Sequence, residues 1–315
     1  MFLVALALAA VAVDPSACPA QEQPLADFPK LNLQTDWPWW RGPTRNGIAA
    51  ETPVPTSIGE ERSLLWKTPV PFRGHSSPTV VGNRVFLTTA DVQEKVQYVL
   101  AFDRASGKPL WQVEASRGAF PAKNHPKNTE ATPTVACDGE RLFASFYHHD
   151  QVEVVALDLE GKPVWKKSAG AFRPRTFEYG YAPSPLIYRN SVIIAGEYDG
   201  ESFLVALDRR TGSHLWRTPR PTMITFSSPV VALVAGKEQL LLSGAEKLSS
   251  YDPSTGAPLW STPGTTMATC GSMVWEGDIA IASGGFPKAE TLAVRADASG
   301  KVLWKNNQKC YEQSL

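Results

Sequence analysis

Cysteine is scarce in this chain: 4 of 315 residues, at positions 18, 137, 270 and 310. None forms a Cys-x-x-Cys pair or stands at zinc spacing from a histidine, which excludes a zinc module and a disulfide framework. An excess of one charge is also missing, since 31 Lys and Arg balance 31 Asp and Glu. No overall field therefore draws the protein to nucleic acid or to an anionic membrane, and neither is expected as a partner. No glycine loop followed by lysine is present to cradle phosphate. The opening run MFLVALALAAVAV is too short to span a bilayer, but it has the length of a signal-peptide core. Although no Lys or Arg precedes it, Ala10-Val11-Ala12 offers a small-x-small cleavage pattern, so export to the periplasm or exterior is expected, with a mature chain from Val13 or Asp14. Cys18 follows Pro15-Ser16-Ala17, which matches a lipoprotein box only in its last two positions; membrane contact is expected only if Cys18 carries lipid.

What is present is turn-forming residues and a repeat. With 43% hydrophobic residues, 23 Gly and 26 Pro, the composition suits a large core made of many short strands. One segment recurs five times: AFDRASGKPLW ending at Trp111, ALDLEGKPVW at Trp165, ALDRRTGSHLW at Trp216, SYDPSTGAPLW at Trp260 and RADASGKVLW at Trp304. Each reads as a strand ending in Asp, a turn with Gly, and a strand carrying Trp. The carboxylate accepts turn N–H groups, and Gly takes the positive φ that a short hairpin needs. Trp66 marks an earlier copy, and the spacings between the six Trp are 45, 54, 51, 44 and 44 residues, which is a propeller-blade period.

A second landmark follows most of these Trp: SSPTVV at Ser76, ATPTVA at Ala131, PSPLIY at Pro183, SSPVVA at Ser227 and the weaker GSMVWE at Gly271. Each unit then holds four strands, in the first unit Ser77–Val81, Arg84–Thr89, Gln97–Asp103 and Pro109–Val113, with Gly82-Asn83 as a tight turn. A four-stranded sheet cannot bury both faces alone, so the units must stack, and the period favours radial stacking.

These segments resemble the quinoprotein-type, pyrroloquinoline-quinone-like β-propeller repeat, over about Trp66 to Trp304. The segment DWPWWRGPTRNG (Asp36 to Gly47) further resembles the leading segment of planctomycete-type secreted proteins with such repeats. The resemblance implies an all-β propeller of four-stranded antiparallel blades with a tryptophan girdle between them. Five blades are expected here, in an incomplete ring, because the chain stops where Gln313-Ser314-Leu315 would begin a sixth unit. The expected divisions are a signal peptide at 1–13, an extension at 14–62 and propeller repeats at 63–315.

For function the resemblance implies three readings, because relatives include dehydrogenases, sensor domains and an outer-membrane assembly scaffold. The favoured one is a non-enzymatic, extracytoplasmic protein-binding or scaffold module without cofactor. The rival is an alcohol or sugar dehydrogenase using pyrroloquinoline quinone and calcium, which the family's best-known alcohol dehydrogenases pair with a ring of two adjacent cysteines, absent here. Asn128, Glu130, Glu178 and Glu312, near first-strand starts, are the candidate ligands for such a calcium, and solvated residues lining the funnel explain them equally. The third is the sensor domain of a larger membrane protein. His148-His149-Asp150 reads as a solvated loop edge, since adjacent side chains on a strand point to opposite faces. Ser76-Ser77 after His75 belongs to the repeated landmark rather than to a nucleophile, and Ser283 to Phe286 reads as a strand-end turn. Cys270 and Cys310 sit near equivalent strand starts but out of register, so free thiols are expected.

Strand order separates two faces. Turns after the first and third strands of each blade lie on one face and are short; the second-to-third loop and the crossover to the next blade lie on the other. On this second face the loop Ala90–Lys95 and two inserts, Glu114–Glu130 and Lys167–Tyr181, carry aromatic and Arg residues of the kind that dominate interfaces. The binding-face candidates for a protein or extended ligand are His75, Phe120, His125, Glu130, Arg173, Arg175, Glu178 and Tyr179.

Overall fold

A computed structural model describes residues 28–50, 57, 59 and 63–307. The expected leader at 1–13, Cys18, Cys310, Glu312 and the start of a sixth unit lie outside the described residues. Among the described residues there is no helix, and twenty strands form five four-stranded antiparallel sheets. The first blade holds β1 (Thr79–Val81), β2 (Arg84–Asp91), β3 (Val96–Asp103) and β4 (Pro109–Arg117). The second holds β5 (Ala136–Cys137), β6 (Arg141–His148), β7 (Gln151–Asp158) and β8 (Pro163–Ala171). The third holds β9 (Leu186–Tyr188), β10 (Ser191–Gly196), β11 (Phe203–Asp208) and β12 (His214–Pro219). β13 (Val230–Val234), β14 (Lys237–Gly244), β15 (Lys247–Tyr251) and β16 (Pro258–Pro263) make the fourth, and β17 (Val274–Glu276), β18 (Ile279–Gly284), β19 (Glu290–Arg295) and β20 (Val302–Asn306) the fifth.

The recurring Asp-to-Gly segment closes the β3–β4 hairpin and its equivalents. The Asp208 carboxylate accepts the N–H groups of Arg210 and Thr211, both at 2.9 Å, and Asp252 does the same for Ser254 and Thr255. Gly212 takes φ +71°, and it is also packed: a Cβ added there would stand 2.8 Å from the Trp165 ring. The turn glycine therefore serves two ends, the turn itself and the docking of the preceding blade's Trp. Trp66 meets Gly107, Trp111 meets Gly161 and Trp216 meets Gly256 in the same way. Three of these indoles also donate to the turn they cover: Trp66 to Arg104 O (2.9 Å), Trp111 to Leu159 O (3.1 Å) and Trp165 to Arg209 O (3.0 Å). Trp165 and Trp260 are buried, and Trp66, Trp111 and Trp216 half-buried. Trp304 is exposed on β20, where no blade packs on it among the described residues.

Cores form between blades rather than within them. Phe86, Val135 and Phe146 join the first and second blades; Phe143, Ile187 and Phe203 join the second and third. Leu186, Leu204 and Leu240 continue into the fourth, and Leu241, Met273 and Leu292 into the fifth. No hydrogen bonds close the ring from the fifth blade to the first among the described residues. Instead the leading segment crosses between them. Trp37 pairs with Val80 through bonds of 2.7 and 2.9 Å, and Asp36 accepts the Gly82 N–H. The Pro38 carbonyl accepts from Cys137 N in the second blade. Trp40 then donates to Ser272 and Asn46 to Trp275 O in the fifth, at 3.0 and 2.8 Å. This strap lies at the first-face ends of the inner strands, where β1 turns into β2.

Candidate binding face and central cavity

Inner strands begin at the second face, and the residues just before or within them form a ladder around the channel. Ser77 N donates to Thr134 Oγ1 (3.0 Å), Thr134 N to Ser184 Oγ (3.0 Å) and Ser184 N to Ser228 Oγ (2.9 Å). The repeated Ser/Thr-Pro landmark thus ties the first four blades in succession. Thr132, Thr134, Ser184 and Ser228 also line a central cavity of about 330 Å³ that opens on the second face. Trp40 of the strap shares its lining. Tyr179, Phe226 and Phe286 wall it, with His75, His125, Lys127 and Cys270. The rings form a connected set: His125 meets Tyr179 edge-on at 4.7 Å, Tyr179 stacks on Phe226 at 6.0 Å, and Phe177 joins Tyr179 to Phe286 at 5.5 and 5.4 Å. Burial pushes the Cys270 thiol up, which keeps it protonated.

Beside this cavity lies an open groove of about 710 Å³ between the two inserts. Phe120, Lys123, Asp150, Arg173, Arg175 and Glu178 line it, together with Tyr147, whose hydroxyl burial pushes up to about 12. Lys123 pairs with Glu178 at 2.9 Å, an ion pair that raises the lysine's pKa, and Arg173 faces Asp150 at 3.5 Å. The loop bearing Arg175 is fixed by Asp199, which accepts Arg175 N and Thr176 N, both at 2.8 Å, and the Thr176 hydroxyl at 2.6 Å.

The eight sequence candidates therefore divide into two neighbouring hollows. His75, His125 and Tyr179 line the cavity; Phe120, Arg173, Arg175 and Glu178 line the groove. Glu130 stands apart in a small recess, bonded to Asn124 Nδ2 at 3.0 Å. The inserts begin later than the sequence suggested, because β4 runs on to Arg117 and β8 to Ala171. Pairing of Val96 with Arg117 and of Gln151 with Ala171 extends those outer strands past a bulge. Two insert aromatics belong to the core: Phe172 is buried between Tyr147, Tyr181 and Tyr198, and Tyr181 donates to Ala195 O.

The segment His148-His149-Asp150 is not, at His148, the solvated loop edge expected from the sequence. His148 and His149 do meet, Nδ1 to Nδ1 at 2.6 Å, and His148 is buried rather than solvated. β6 ends at His148 while His149 takes φ +49° in the hairpin, so strand alternation does not apply to the pair. His148 Nε2 continues to Glu153 (2.8 Å), which also pairs with Lys166 (2.6 Å). No cluster of His, Cys, Asp and Glu fit to hold a metal occurs among the described residues. Lys127, on the first insert, is a lining residue, and Trp40 and Phe286 are lining residues that the sequence does not mark. The recurrent hydroxyl before each inner strand was the available signal for the cavity wall.

A calcium-bound quinone does not fit this cavity. Its lining includes His75, His125, Lys127, Tyr179 and Cys270 but no Asp or Glu, so calcium would find no carboxylate. Of the described residues proposed as ligands, Asn128 accepts from Thr132 and donates to Tyr179 O, Glu130 lies in the recess and Glu178 is held by Lys123.

Fold and site together define a β-propeller of quinoprotein-type repeats with its open cavity on the long-loop face. Residues 95–308 match the family described as outer membrane protein assembly factor BamB, and the chain belongs to that family. Among solved structures it is similar to BamB from Moraxella catarrhalis, with a TM-score of 0.50 and 19% identity over 72% of this chain and 66% of that one. It is similar also to a europium-containing methanol dehydrogenase, with a TM-score of 0.62 and 14% identity over 88% of this chain and 59% of that one. The quinohemoprotein alcohol dehydrogenase from Comamonas testosteroni gives 0.58 and 14%, over 89% and 50%. The chain thus spans about half to two thirds of these proteins. No curated protein sequence matches it.

Proposed function

We propose that this chain is a non-enzymatic, extracytoplasmic propeller that holds a protein partner on its second face. One observation carries the reading: the strap Asp36–Asn46 bonds to the first-face ends of the inner strands of the first, second and fifth blades, whereas the second face presents a cavity and a groove side by side. Long loops on a rigid scaffold, with aromatic and Arg side chains, are the usual material of recognition sites. Membership in a family described by an outer membrane assembly factor supports the extracytoplasmic setting and the scaffold role. The cavity's mixture of hydroxyls, imidazoles and aromatic rings, without a carboxylate base, supports binding over oxidation chemistry.

The test compares capture of partners from a periplasmic extract by the unaltered chain, by Arg173→Glu with Arg175→Glu, and by Lys108→Glu with Lys162→Glu on the first-face turns. Loss with the first pair alone is expected; loss with the second pair alone rejects the face. Dye-linked alcohol oxidation after incubation with pyrroloquinoline quinone and calcium would overturn the non-enzymatic reading.

A further inference from the structure

The central cavity has a chemical bias that the scaffold role does not require. It is lined by the basic side chains of His75, His125 and Lys127 and by no carboxylate. Lys127 is exposed and has no acidic partner among the described residues, and His75 Nδ1 is buried with no hydrogen-bond partner. The hydroxyls are biased the same way. Thr134, Ser184 and Ser228 each use one oxygen lone pair on a backbone N–H of a neighbouring blade, and each keeps an O–H that can donate into the cavity. A wall of donors and cations, with aromatic rings between them, suits a carboxylate attached to an apolar body.

We infer that this cavity receives the C-terminal residue of a bound polypeptide, its free carboxylate at Lys127 and the hydroxyl ladder and its aromatic side chain among Tyr179, Phe226 and Phe286. The inference rests on the second face being the protein-binding face. The occupant is a chain end because the cavity, at about 330 Å³, lies at the small end of ligand pockets and holds one residue rather than a strand. The groove of about 710 Å³ lies directly beyond the shared wall at Glu178–Tyr179 and is open to the residues that precede the end. Its exposed Arg175, which has no ion pair among the described residues, gives those residues a cation to meet. Recognition of a terminal carboxylate by convergent donors is an established mode of peptide capture.

The experiment uses the 315-residue chain and a fluorescent hexapeptide ending in Phe with a free carboxylate. Controls are the same peptide as its C-terminal amide, the same peptide ending in Ala, and free 3-phenylpropionate. Anisotropy should show saturable binding of the acid, weakened about tenfold or more by amidation and by Phe-to-Ala replacement. Lys127→Met, at an exposed position that folding does not depend on, should weaken the acid and leave the amide unchanged. Phenylpropionate should compete only weakly, because it lacks the residues that fill the groove. Equal binding of acid and amide, absence of peptide binding, or phenylpropionate competing as well as the peptide would each overturn the inference. If peptides fail while Arg173→Glu with Arg175→Glu still abolishes partner capture, the cavity assignment falls and the second-face reading stands. If that double variant captures normally, the second-face reading itself falls.

Discussion

The Trp40 indole donates to the Ser272 hydroxyl at 3.0 Å, joining two residues 232 positions apart in the chain. Together with Asn46 on Trp275, this bond fastens the strap to the fifth blade after it has paired with the first and second. Trp40→Phe keeps an aromatic ring at the cavity lining and removes the donor. Such a change is expected to cost about 0.5–1.5 kcal/mol, the usual net worth of one hydrogen bond. A urea midpoint that does not move would show the strap to be idle.

Trp165 and Gly212 belong to different blades and pack as one unit, the indole lying over the turn glycine and donating to Arg209 O. Trp165→Ala is expected to cost about 3–5 kcal/mol, as large buried truncations do. Gly212→Ala should cost about 1–3 kcal/mol for placing a side-chain-bearing residue at φ +71°, and more for its contact with the ring. Because both changes disrupt one contact, the double variant should be less destabilised than the two single effects added. Strict additivity in thermal or urea unfolding would argue against the docking.

Much of the fold was legible because the repeat is written in local chemistry. Asp208, Gly212 and Trp216 announce strand end, turn and next strand without any tertiary information. The cavity was less legible. Its wall joins Trp40 to Phe226, Cys270 and Phe286, residues distant in sequence that only stacking of the blades brings together. His148 and His149 show a different limit: alternation correctly describes β6, but the strand ends one residue before the rule would be needed. The inserts were placed on the right face yet started too early, because nothing in Glu114 to Arg117 signals that β3 continues to pair with them.

Glu153 holds a buried polar chain together, accepting from His148 and Lys166. Burial pushes its carboxyl up, but those two partners outweigh burial and hold it below the usual carboxylate range. Glu153→Leu leaves His148 buried without its acceptor and is expected to cost about 1–3 kcal/mol. Lys166 is partly exposed, so its loss of a partner adds little. Removing His148 as well, as Phe, should recover part of the loss, since both ends of the buried bond are then gone. Failure of the second change to recover any stability would place the cost elsewhere.

Asp199 controls the loop that presents Arg175. Burial works against its ionisation, yet the Thr176 hydroxyl and the amides of Arg175 and Thr176 outweigh that and hold its carboxyl below the ordinary value. The folded pKa is therefore lower than the unfolded one, which for Asp is about 3.9. Its contribution is complete above that unfolded value and is lost as pH falls through the lower folded value. Hydrogen exchange of the Arg175 and Thr176 amides, corrected for intrinsic rates, should show protection that is constant near neutrality and declines only in that acid window. The neutral-pH counterpart is Asp199→Ala, which removes the acceptor without acid. Trypsin should then cut after Arg175 faster than in the unaltered chain, while the β-sheet circular dichroism is unchanged, because the loop is released and the blades are not. Cleavage at the unaltered rate would mean that Asp199 does not hold this loop.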